Sequence, residues 1–192
     1  MTQLADVTSE KKVRGSKLTF DRAFVLVMAS ATVTLLIAVA FVAIVFGRGG
    51  AGTQLSEYEL QAIEVVSMQN EITVRWNQTV DMFNGSDVSS QLEHVILFTA
   101  SLDSVHDLIT DSQAVINRWT EIDVPDKHVS SYQLGLEALM ATQDGLILFE
   151  EYFQDSVDTL VADQLRAGEA SAKLVHAAQL WQAAAEVAAE EG

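Results

Sequence analysis

The sequence predicts an all-α protein, with one N-terminal transmembrane helix followed by an extracytoplasmic antiparallel four-helix bundle. Three observations carry that expectation. Residues 24–46, FVLVMASATVTLLIAVAFVAIVF, form a run of 23 residues without a single charge. Beyond residue 55, apolar side chains recur at spacings of three and four, as amphipathic helices require. Strand signals are missing, with no sustained alternation and no hairpin dipeptide between two apolar runs.

Each segment follows from its residues. The tail, 1–23, holds five basic and three acidic residues, a balance of +2, and is too short and polar to fold alone. As a helix rising about 1.5 Å per residue, 24–46 spans roughly 34 Å, enough for a hydrocarbon core of about 30 Å. A signal peptide carries a shorter apolar core, about 7–15 residues, and an A-x-A-like cleavage site. Here the run is longer and is followed by GRGGAG, so a retained anchor is expected. Lys11, Lys12, Arg14, Lys17 and Arg22 precede the span, and only Arg48 lies just after it. The positive-inside rule then places the N-terminus in the cytoplasm, with a single pass through the plasma membrane. The basic tail would meet anionic headgroups of the lipid bilayer. Ser30, Thr34 and Ala38 recur every four residues and form a small-residue stripe, the kind that permits close helix contact in membranes.

A linker, 47–54, leads into the acidic bundle, 55–190. The first helix carries Leu55, Tyr58, Ala62, Val65, Ile72, Trp76 and Phe83 on its seam, with Gln69 and Thr79 filling two slots. Ser56 and Glu59 have capping-box spacing, and Asn84-Gly85-Ser86 supplies a stop. The second helix is read from Val88, Leu92, Val95, Phe98, Leu102, Val105, Ile109, Ile116 and Trp119, with a capping box at Ser90 and Glu93. A break surrounds Pro125, the only proline. The third helix carries Val129, Tyr132, Leu136, Leu139, Leu146, Phe153, Val157 and Leu160, interrupted by Gly145. The last break is expected at Arg166-Ala167-Gly168-Glu169. If the chain ran through Gly168 as helix, three helices would replace four. The fourth helix shows Ala170, Leu174, Ala177, Trp181, Ala184 and Ala188, and its end at Glu190-Glu191-Gly192 is open to fraying.

Composition excludes several chemistries. Without cysteine there is no disulfide framework, no thiolate metal site and no c-type haem attachment. A net charge of −16 argues against a nucleic-acid binder. No G-x-S-x-G, H-E-x-x-H or G-x-x-x-x-G-K pattern occurs, so an enzyme is not expected and no cofactor is assigned. Asp103, His106 and Asp107 are the candidates for a weak metal site, whose bland alternative is a solvated helix face. His94 and His128 are read as loop or helix-start residues without a role. Gln69, Trp76, Gln143 and Trp181 are candidates for an interhelix cavity, although tryptophans on a seam are more often plain core.

The layout resembles the first half of a bacterial sensory receptor, in which a membrane helix feeds a four-helix-bundle ectodomain. It also resembles bacterial LemA-like proteins, which join an N-terminal anchor to an outside bundle. Their Arg-Asp-Leu-Ile-Pro-type stretch is missing around Trp76, where this chain reads RWNQTVDMF.

From residue 47 on, six basic residues stand against 24 acidic ones, a balance of −18. That surface suits solubility, a saline exterior, or a basic extracytoplasmic partner. The expected function is an accessory or scaffolding subunit acting through protein contacts, with other membrane-complex subunits or as a homo-oligomer. The alternative is an extracytoplasmic ligand-sensing or ligand-binding domain.

Overall fold

A computed structural model describes residues 56–86 and 89–191. Those residues are all-helical: α1 (Glu57–Gly85), α2 (Gln91–Thr120), α3 (Val129–Thr159) and α4 (Gln164–Glu191), with a 3-10 turn at Asp126–His128. No strand occurs among them. The tail, the 24–46 run with Ser30, Thr34 and Ala38, the whole linker, and the seam residues Leu55 and Val88 lie outside the described residues. Among the described residues, no helix is long and apolar enough to cross a membrane.

Local chemistry sets where each helix starts. Ser56 Oγ accepts the Glu59 N–H, and the Glu59 carboxylate accepts the Ser56 N–H at 2.6 Å. Ser90 and Glu93 repeat the arrangement on α2. Each box satisfies two backbone donors that a helix N-terminus otherwise leaves open. Pro125 precedes the 3-10 turn, where its missing N–H costs nothing.

The connection between α3 and α4 is not where the sequence places it. Gly168 lies inside α4, and the chain reverses at Leu160–Asp163 instead. Leu160 takes the left-handed conformation, φ 56°, and its N–H bonds to the Ser156 carbonyl. Asp163 then caps α4, its Oδ1 accepting the N–H groups of Leu165 and Arg166 at 3.0 and 3.3 Å. Four helices result, and the three-helix alternative is excluded.

Contacts between helix ends show that successive helices run antiparallel. Phe83, late in α1, meets Phe98, early in α2, and Phe153, late in α3. At the opposite end Trp119 stacks on Tyr132, ring centroids 5.4 Å apart, and meets Trp181 edge-on. Trp119 Nε1 donates to the Tyr132 carbonyl, and Tyr132 Oη donates to the Trp119 carbonyl. Two aromatic clusters therefore close the ends of one helical bundle, each buried ring adding about 1.5–3 kcal/mol of hydrophobic stabilisation.

The α1 seam is as the periodicity has it: Tyr58, Ala62, Val65, Gln69, Ile72, Trp76, Thr79 and Phe83 are all buried. On α2 the seam sits one residue earlier over much of its length. Leu97, Ser101, Leu108, Ser112 and Val115 are buried, Leu102, Ile109 and Ile116 only flank them, and Leu92 is 70% exposed. Two serines hold interior positions there, so an apolar count picks the flank. The fourth seam is buried throughout, from Ala170 to Ala188. Its end is tied down, because Glu191 accepts a hydrogen bond from Ser131 Oγ at 2.7 Å.

Candidate functional site

A groove lies between α2, α3 and the start of α4. It encloses about 540 Å³, with Leu102 as an apolar element and Asp103, His106, Glu150, Glu151, Gln154, Asp155 and Arg166 around it. These polar groups arise because α2 and α3 cross with their charged faces toward solvent. His106 Nδ1–H donates to Glu150 Oε1 at 2.8 Å, linking the two helices. That hydrogen bond raises the His106 pKa, and the nearby charges of Glu150, Asp107 and Asp103 push the same way. Arg166 pairs with Asp155 and also reaches Glu151 at 3.8 Å.

This geometry redefines the metal candidates. His106 is engaged by Glu150 rather than by Asp103 or Asp107. Among the described residues, no group of three or more histidines and carboxylates is placed to hold a metal ion. What the groove can do chemically is present carboxylates beside an apolar side chain.

The cavity candidates separate. Gln69 is buried at 1% exposure, and neither its amide oxygen nor its nitrogen has a hydrogen-bond partner among the described residues. Trp76 is buried against Phe149, centroids 4.5 Å apart, and its indole N–H has no acceptor among the described residues. Next to it, Ile72, Thr73, Trp76, Thr142, Leu146 and Leu174 surround a void of about 10 Å³, room for roughly one water. Gln143 is not interior. It is partly exposed, and its Nε2 donates to Gln113 Oε1 at 3.1 Å across α2 and α3. Trp181 is wholly buried and packs on Trp119, serving as core.

Two histidines that the sequence leaves without a role are interior. His94 is 1% exposed, stacked on Phe98 at 4.1 Å, with Nε2 3.4 Å from the Ser156 carbonyl. His128 is 5% exposed, stacked on Tyr58 at 4.8 Å, with Nδ1 3.6 Å from Glu191 Oε2. Position i, i+4 to Phe98 is the signal that could have placed His94 in the core. Burial pushes the Tyr58 hydroxyl up to about 12, against a smaller opposing effect from its hydrogen bond with Ser131.

The bundle surface is strongly acidic. Among residues 56–86 and 89–191 there are 23 carboxylate side chains and five Lys or Arg, a balance of 5 − 23 = −18. Arg75 pairs with Asp111, Arg118 with Glu64, Arg166 with Asp155 and Lys173 with Asp144. All are surface pairs, each contributing about 0–1 kcal/mol. Comparison with known proteins gives no likeness to draw on: no protein-family model, no curated protein and no solved structure matches this chain.

Proposed function

We propose that the chain is a single-pass membrane protein whose helical bundle lies outside the cytoplasm and acts as an accessory or scaffolding subunit through protein contacts. One observation carries this reading. An uncharged run of 23 residues, preceded by five basic residues, is joined to a bundle whose polar groups lie mostly on an acidic surface. The run supports anchorage and the basic flank supports the orientation. The acidic surface supports contact with a basic extracytoplasmic protein. A small-molecule sensing role has less support, because the void beside Trp76 has room for about one water and Gln143 faces outward.

Purification of the native protein in mild detergent, with mass spectrometry of whatever accompanies it, tests the function. The expected result is a stoichiometric partner, and recovery as a lone monomer overturns it. Protease treatment of intact cells tests topology. Cleavage within 56–191 with the tail protected is expected, and protection of the bundle reverses the orientation.

A further inference from the structure

We propose that the groove between α2 and α3, with the exposed strip of α2 leading into it, docks a cationic amphipathic helix of a partner protein. This rests on the scaffold reading above and assigns it a face and a partner chemistry. Leu92 and Ile96 are 70% and 59% exposed. An isolated exposed leucine is ordinary; the placement of these two is not. Steps of four, seven and three residues put Leu92, Ile96, Asp103 and His106 on one face of α2, over about 21 Å of helix. That face is distinct from the packed seam of His94, Leu97, Phe98, Ser101 and Val105. The Ser90–Glu93 capping box closes the first turn, so Leu92 is held in ordered helix. Along the same face the groove opens, with Leu102 beside the carboxylates of Asp103, Glu150, Glu151 and Asp155. Its two counter-groups are already committed, His106 to Glu150 and Arg166 to Asp155.

An apolar strip running into an acidic groove is complementary to a helix with an apolar stripe flanked by Lys or Arg. Charge decides among occupants. A second copy would bring its own balance of −18 against the same carboxylates, and anionic lipid or nucleic acid would be repelled. The occupant is therefore a cationic protein segment.

The test uses the full chain in mild detergent and three synthetic peptides of about five helical turns. One carries Leu and Lys at amphipathic spacing, one is its scramble, and one replaces Lys by Glu. The amphipathic Lys peptide is expected to bind about tenfold or more tighter than the scramble, and the Glu peptide not at all. Zero-length carboxylate–amine cross-links are expected on Asp103, Glu150, Glu151 and Asp155. The double variant Leu92→Ser/Ile96→Ser should weaken binding about tenfold, while Leu60→Ser/Met140→Ser, at exposed positions elsewhere, should not change it. Circular dichroism checks that both variants fold. Equal binding of scramble and amphipathic peptide, or cross-links scattered over the carboxylates, overturns the proposal. A native partner cross-linked through another face also overturns it, and leaves the scaffold reading standing. Specific groove binding by a chain that purifies without a partner supports the groove and overturns the scaffold reading.

Discussion

Two glycines show how one residue type serves opposite ends. A Cβ on Gly145 would sit 2.7 Å from Leu174 Cδ2 and 3.2 Å from the Ala170 carbonyl oxygen. The missing side chain is what lets α3 and α4 approach there. A Cβ on Gly168 meets nothing within 4 Å. Alanine gains about 1 kcal/mol over glycine in a helix interior, while overpacking costs about 1–3 kcal/mol. Gly168→Ala should therefore raise stability by about 0.5–1 kcal/mol, and Gly145→Ala should lower it by about 1 kcal/mol, both read from urea unfolding. A gain at both positions would show that Leu174 yields freely.

His106 allows a second test at the same scale. Its pKa is raised above the ordinary histidine value of 6.5, first by the hydrogen bond to Glu150. The sign follows: the link favours the folded state fully below the unfolded value and is lost as pH rises through the folded one. An NMR titration of the His106 ring should show a midpoint above 6.5, and Glu150→Gln should bring it down. An unmoved midpoint would show that Glu150 is not the cause. At this scale the sequence is legible for Trp76, Trp119 and Trp181, where size alone demands burial, but not for Gln143. One helical step separates the buried Thr142 from Gln143, which turns outward.

At the scale of the element, caps are the most readable feature, because they are local. Ser56/Glu59 and Ser90/Glu93 can be read from spacing alone, and both boxes form. Replacing Ser90 with Ala should cost about 1 kcal/mol in unfolding free energy. The Glu93 pKa is lowered, first by the hydrogen bond from the Ser89 side chain and then by the Ser89 N–H. That contribution is present above the unfolded carboxylate value and is lost as pH falls through the folded one. The α3–α4 break is the opposite case. The reversal is made by Leu160 at φ 56°, a conformation that glycine adopts freely and leucine does not. Its local signal is a single cap residue, Asp163, in a chain rich in carboxylates, whereas Gly168 offers a false one inside a helix. Leu160→Gly should relieve backbone strain and raise stability by about 1 kcal/mol, less whatever the half-buried side chain contributes. A loss in thermal unfolding would mean that the side chain's packing outweighs the strain. The α2 seam is blurred for a third reason. Ser101 and Ser112 occupy its interior at 0% exposure, so hydrophobic periodicity follows the flanking row.

For the whole molecule, charge sets the response to salt. Four of the five cationic side chains in the bundle are already in surface pairs. Salt weakens such pairs, which at about 0–1 kcal/mol each have little to lose. The balance of −18 acts the other way. Carboxylates on all four helices repel one another, and folding brings them together. Screening shortens that repulsion to about 10 Å at 0.1 M and about 3 Å at 1 M salt. The repulsion involves many pairs and the attraction only the few that four cationic side chains make, so the repulsive sum should dominate. The midpoint of thermal unfolding at neutral pH should therefore rise as sodium chloride increases from about 10 mM to about 0.5 M, most steeply at the low end where the screening length changes fastest. Sodium sulfate at equal ionic strength separates screening from exclusion of salt at the surface, since only the latter keeps strengthening the fold once screening saturates. A falling midpoint would mean that the cross-helix pairs Arg75–Asp111 and Lys173–Asp144 hold the helices together more strongly than their exposure implies. The acidic surface would then be a structural network rather than a face left open for a cationic partner.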